Sequence, residues 1–261
     1  MRRDQQAPIL AALERARAAA FPAGEYVGQE SFMRAGEVRT LAKQARIGPG
    51  VSVLDLCCGV AGPGRMITAE SGCDYLGVDC SASSLALARK LAVNLPCRFE
   101  QALIPPLPDG HFEVVLLLET MLAFPDKEAL VREVARVLDP GGRFAFTVEE
   151  GRPLTQQERT RMPGADTVWP VELADLTATL SAAEFTLTWQ DERSSAHCAI
   201  AMALHRCYQA ESARIARQIG TQATAELITA HRLWGDWLSS GRVRKFAIVA
   251  EKQGRASVRP E

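Results

Sequence analysis

No surplus of charge of either sign marks this 261-residue chain: 30 Lys and Arg stand against 31 Asp and Glu, a formal net charge of −1. The basic field that draws proteins to nucleic acid or to anionic lipid is therefore missing, and a small molecule is the expected partner. No run of apolar residues is long enough to span a bilayer, so membrane insertion is not expected. The N-terminus, Met-Arg-Arg-Asp and then an Ala/Arg/Glu segment, lacks the continuous apolar stretch of a secretion signal, which leads to the expectation of a cytoplasmic protein. The seven cysteines include no Cys-x-x-Cys pair, so free thiols and no metal site are expected. There is also no internal repeat and no serine, cysteine or paired-carboxylate constellation of the kind that performs covalent or acid–base hydrolysis.

The chain does have apolar content, at 47%, enough to bury the core of one α/β domain with an accessory piece. Its organising stretch is residues 51–65, Val-Ser-Val-Leu-Asp-Leu-Cys-Cys-Gly-Val-Ala-Gly-Pro-Gly-Arg. Strand-formers run into a cluster of small residues, and a segment able to start a helix follows. Small residues let the backbone approach a ligand closely. About 24 residues further on, the strand at 74–78 is closed by Asp79, and an acid at that point grips ribose hydroxyls in nucleoside-binding βαβ units. The turn fits the Gly-x-Gly-x-x-Gly of NAD sites poorly, since Cys57 stands in its first position.

What residues 51–65 resemble is motif I of the class I S-adenosylmethionine-dependent methyltransferases, in the version found in small-molecule enzymes such as the sterol and tocopherol methyltransferases. Leu54, Asp55, Cys58, Gly59, Val60, Gly62, Pro63 and Arg65 match, whereas Cys57 and Ala61 stand where glycine is usual. A β-carbon at Cys57 leads to the expectation of a backbone angle suited to a non-glycine residue. Three further stretches carry the resemblance through roughly residues 26–150: Asp79, the Pro-Pro-Leu-Pro-Asp-Gly loop at 105–110, and Arg-Val-Leu-Asp-Pro-Gly-Gly-Arg at 136–143.

The resemblance implies a Rossmann-like α/β fold, a seven-stranded and mostly parallel sheet with helices on both faces. It also implies S-adenosyl-L-methionine as the cofactor and a small-molecule methyl acceptor. Cofactor contacts are expected from Tyr26, Gln29, Asp55, Cys57, Gly59, Val60, Asp79, Cys80, Gln101, Ala102, Glu119 and Thr120. Gln101 stands where the family has an acid near the adenine amine, and an amide there still offers a carbonyl acceptor. The Tyr-Val-Gly-Gln segment at 26–29 is expected to close the cofactor end, although Tyr26 also reads as an ordinary core or capping aromatic. Glu119 follows an apolar strand at 114–118, where a carboxylate is costly unless something cationic or donating meets it; a side chain turned to solvent is the other reading. Several family members carry a histidine base four residues later, but that position is Ala123 here.

Beyond Glu150, a helix is expected at 171–180 and strands at 185–190 and 245–250. The roughly 50 residues before the last strand are far too many for a hairpin loop and read as two helices, 195–219 and 222–238. They are expected to form a substrate lid. The domains then divide into an N-terminal helical cap at 1–46, a core at 47–192 and 243–253, and the lid at 193–242. Of the lid histidines, His231 joins Tyr26 and Glu119 as a catalytic candidate, with a structural role open for each. The expected activity is O-, N- or C-methylation of a small molecule by a monomer or homodimer. A cofactor-binding protein with a non-methylating cyclase or scaffold role is the alternative. A nucleic-acid enzyme is disfavoured, because Glu-Thr-Met-Leu at 119–122 replaces the Asp/Asn-Pro-Pro-Tyr that holds a flipped base.

Overall fold

The computed structural model describes residues 11–254. Among these residues seven strands form one sheet in the order β3-β2-β1-β4-β5-β7-β6. Strands β1 (Ser52–Leu56), β2 (Asp74–Asp79), β3 (Cys97–Gln101), β4 (Phe112–Leu117) and β5 (Leu138–Glu150) run parallel. Strand β7 (Arg244–Lys252) inserts antiparallel between β5 and β6 (Phe185–Glu192). The order reverses at β1, and the carboxyl ends of β1 and β4 open a crevice there.

Apolar runs make the centre of this sheet, where both faces are covered, while the edge strands β3 and β6 carry exposed polar residues. In β4, residues 114–117 are each at most 1% exposed. On one face α5 (Lys127–Val137) and α7 (Leu173–Ala182) deliver Leu130, Val131, Val134, Leu176 and Leu180 to the core. On the other, α2 (Ala35–Gln44) and α3 (Gly62–Ser71) contribute Val38, Leu41 and Ile67. Helix α4 (Ala82–Leu91) starts at Ser81, whose Oγ accepts from the Ser84 amide at 3.2 Å.

Within the segment expected as a helical cap, residues 11–20 form α1 (Ala11–Ala20), and residues 1–10 lie outside those described. The Pro-Gly-Gly turn does not precede β5 but bulges out of it: Phe112 pairs with Leu138 and Val114 with Arg143, so extra residues are looped from one strand. Between β5 and α7 a further helix, α6 (Gln156–Arg161), stands on a capping box in which Thr155 and Glu158 bond each other's amides. The segment before β7 forms three helices rather than two, α8 (Ser194–Ala210), α9 (Ser212–Ile219) and α10 (Thr221–Ser240). No glycine or proline at Glu211 announces the break. These helices pack on α1 through Leu13, Ala16, Ile200, Leu204, Tyr208 and Ile215, and on Leu154, Met162 and Val168 through Leu233 and Trp237.

Candidate active site

A cleft of about 740 Å³ opens above the carboxyl ends of β1, β2 and β4, within the size range of small-molecule sites. Its floor is the turn after β1. Cys57 and Ala61 both adopt left-handed angles, φ 56° and 53°. The expectation that Cys57 would hold an angle suited to its β-carbon is corrected: the turn keeps the glycine conformation and absorbs the strain, about 1–2 kcal/mol per residue. The Gly59 amide donates to Asp79 Oδ2 at 2.8 Å and the Ser81 amide to Oδ1 at 2.8 Å. These bonds hold the Asp79 carboxylate at the cleft while leaving further lone pairs on each oxygen.

Beneath the turn, Asp55 is 3% exposed and accepts from Tyr75 Oη at 2.6 Å. Burial pushes its carboxyl up to about 7, against the pull of the Tyr75 bond. Burial likewise raises the Cys57 thiol to about 12, so it is not a thiolate at neutral pH.

The N-terminal segment crosses directly over this turn. A Cβ on Gly62 would collide with the Val27 carbonyl, so only glycine lets the two backbones touch. Gln29 fixes the crossing: its Oε1 accepts from the Val27 amide at 2.6 Å, and its Nε2 donates to the carbonyls of Glu25 at 3.1 Å and Met33 at 2.7 Å. Gly28, Gln29, Glu30 and Ser31 thereby line the cleft.

Tyr26 does not line it. Its hydroxyl donates to Glu14 Oε1 at 2.7 Å and its ring packs 5.4 Å from that of Phe21. Burial and the Glu14 bond raise its pKa, so it stays protonated. His231 is also outside the cleft lining, with Nδ1 2.8 Å from the Leu227 carbonyl oxygen of its own helix and its ring edge-on to Phe32 and Tyr208. Desolvation lowers its pKa to about 4, which leaves a neutral structural imidazole. The Gln101 amide donates to the Cys80 carbonyl at 3.0 Å, at the outer edge of the wall formed by Cys80 and Ala102.

Glu119 does line the cleft, with Thr120 beside it. Its backbone is left-handed, φ 61°, and its amide donates to Thr147 Oγ1 at 2.6 Å. Glu119 Oε1 is 2.9 Å from Lys245 Nζ, and Oε2 accepts from the Phe32 amide at 3.3 Å. Lys245, 2% exposed, also pairs with Glu149. Burial works to raise the Glu119 pKa, but Lys245 and His197 outweigh it and hold the carboxyl below its ordinary value. The cation that a carboxylate needs at this strand end is thus Lys245, which the sequence reading had left in an apolar strand. Behind it lies His197 of α8, fully buried, with Nδ1 3.7 Å from Glu119 Oε2 and Nε2 3.5 Å from Glu37 Oε2.

The structure therefore brings together Gln29, Asp55, Cys57, Gly59, Val60, Asp79, Cys80, Ala102, Glu119 and Thr120 around one cleft, and leaves Tyr26, His231 and Gln101 out of its lining. It adds Glu30, Ser31, Phe124 and Thr167, none of them foreseen. No residue of 193–242 lines the cleft; those helices reach it only through what they press against. Among the described residues no helix is long and apolar enough to cross a membrane, and no group of three His, Cys, Asp or Glu side chains could hold a metal ion.

Residues 54–146 match a family described as "Methyltransferase domain". The chain is 32% identical over 117 residues to the chloroplastic tocopherol O-methyltransferase of Arabidopsis thaliana, a match covering 42% of this chain and 34% of that protein. It thus spans about a third of the length of that relative. Among solved structures, Haemonchus contortus phosphoethanolamine N-methyltransferase 2 in complex with S-adenosyl-L-methionine is similar with a TM-score of 0.76 at 15% identity, over 92% of this chain and 56% of that one. The cyclase SpnF is similar with a TM-score of 0.75 at 20% identity, over 94% and 93% of the two chains.

Proposed function

We propose that this chain, whose residues 54–146 are a methyltransferase domain, transfers the methyl group of S-adenosyl-L-methionine to a small organic acceptor. The observation that carries this reading is the Asp79 carboxylate, fixed by two amides at the edge of a cleft whose floor is a glycine-like turn. Asp79 would accept from the ribose hydroxyls, the turn at Cys57, Gly59 and Val60 would lie against the nucleoside, and Cys80 and Ala102 would flank the base. Glu119 and Thr120 would face the methionine end. When bound, the cofactor supplies an activated methyl carbon.

The protein's own task is then to orient the acceptor in line, keep water out and stabilise charge. Glu119, held ionised by Lys245, is suited to face a cation and poorly suited to take up a proton. Gln29 acts indirectly, by pinning the strap over the turn. Tyr26 and His231 are assigned to packing, and α8 to α10 to supporting the acceptor end through Phe32 and His197. A cytoplasmic monomer or homodimer remains part of the proposal.

The test is incubation with methyl-labelled cofactor and a panel of metabolites. Label in a panel member supports the reading. Cofactor bound with no label transferred, but with rearranged panel members, selects a non-methylating cyclase instead.

A further inference from the structure

Lys127 stands where two physical costs coincide. It opens α5, where the positive end of the helix macrodipole disfavours a cation, and it is only 8% exposed, where a charge needs partners. What it meets there is backbone: Nζ donates to the Phe124 carbonyl at 2.5 Å and to the Trp169 carbonyl at 2.9 Å. Those carbonyls belong to two separate short turns, one built on Met121–Ala123 and the other on Ala165–Thr167.

Both turns reach the cleft. The first supplies Thr120, Ala123, Phe124 and Pro125 to its lining, and the second supplies Thr167. A backbone bond also joins them, from the Trp169 amide to the Leu122 carbonyl at 2.9 Å. Behind the second turn, Arg159 donates to the Ala165 carbonyl at 2.9 Å and lies 4.2 Å over the Trp169 ring, while Val168 packs with Leu233 and Trp237 of α10. None of these bonds involves Asp79 or the turn after β1.

Resting on the methyltransferase reading above, we infer that Lys127 is a positioning residue for the methyl acceptor: its ammonium staples the two turns together and so sets the acceptor end of the cleft, at Phe124 and Thr167. The nucleoside is held by other elements, so the staple governs the acceptor rather than the cofactor. Its strength depends on a proton. The charged groups around Lys127 are Glu149 of β5, itself paired with Lys245 of β7, Asp126 and Glu128 beside it in sequence, and Asp166 and Arg159 around Trp169. Burial outweighs the attraction of Glu149 and brings the Lys127 pKa down to about 8. Below that value a full charge pulls on both carbonyls, and above it a neutral amine does so more weakly.

The experiment measures methyl transfer to the panel members that the wild type labels, from about pH 6.5 to 9.5, for the wild type, Lys127→Met and Lys127→Arg. Cofactor binding is followed by calorimetry and backbone opening by amide hydrogen exchange. Lys127→Met should raise the acceptor KM at about pH 7 by at least about tenfold, while kcat and cofactor affinity stay within about threefold. Exchange should quicken in both turns, 120–125 and 164–170, and stay unchanged at 57–62. The wild-type KM should rise as pH passes about 8, and Lys127→Arg, whose charge persists, should show no such rise. An unchanged KM in Lys127→Met overturns the inference, as does an equal loss of cofactor affinity or a pH-dependent rise shared by wild type and Lys127→Arg. If Lys127→Met does not fold, the paired pH profiles of the other two proteins decide. A wild type that labels no panel member overturns the methyltransferase reading instead, and hydrogen exchange still shows whether Lys127 staples the turns.

Discussion

At Cys57 and Ala61 a β-carbon sits in a conformation that glycine adopts without cost. Ala61→Gly removes that strain, about 1–2 kcal/mol, against about 0.5–1 kcal/mol of added unfolded-state entropy. The variant should therefore gain a few tenths to about 1 kcal/mol in urea unfolding, and a loss would mean that the angle is unstrained. Lys245→Met should be severe, about 3–5 kcal/mol, because it strands Glu119 and Glu149 without their shared cation.

His231 gives a pH signature with a definite sign. Its folded pKa, about 4, lies below the ordinary 6.5, so the unfolded chain binds the extra proton between those values and stability falls as pH drops from about 6.5 to 4. Glu37 follows at lower pH. Burial opposes its ionisation, but the imidazole of His197 and the Arg34 amide hold it at about 2, so its contribution is lost as pH falls from about 4.5 to 2. His231→Phe should flatten the upper part of this decline in melting temperature. An unchanged slope would show that the imidazole is not buried neutral.

These residues also mark where sequence reading stopped. Asp79 and the turn were legible because their spacing along one βαβ unit fixes their meeting in space. Lys245, Glu149, Glu37 and His197 come from four distant elements, and nothing local distinguishes them. Tyr26 was misleading for a different reason: the glycine hinge beside it does cross the cleft, but its own ring turns away to Phe21.

Among the elements, β1 and β4 were readable as apolar runs, since burial on both faces leaves no alternation to confuse them, whereas β3 carries charged, exposed residues. The α6 capping box was readable in Thr155 and Glu158 but passed over within a polar stretch. The helices before β7 were legible as helices, but not what their apolar faces pack against. Their apolar side meets α1, where Leu204 is 3% exposed. Leu204→Ala should thus cost about 2–5 kcal/mol in unfolding free energy, as a core position does. A value below about 1 kcal/mol would recast these helices as a loosely docked lid.

For the molecule as a whole, the switch in strand order puts the Asp79 carboxylate, a glycine-like turn and Glu119 at one crevice, and the overlying strap crosses it from the N-terminal side. The central claim is that this crevice binds S-adenosyl-L-methionine through Asp79. Calorimetric titration of the wild type and Asp79→Ala with S-adenosyl-L-methionine and with NAD tests it directly. The account predicts a saturable S-adenosyl-L-methionine isotherm for the wild type, none for NAD, and a loss of about 2–4 kcal/mol in Asp79→Ala as the ribose loses a charged acceptor. Tight NAD binding, or an Asp79→Ala isotherm that overlays the wild type, would contradict it.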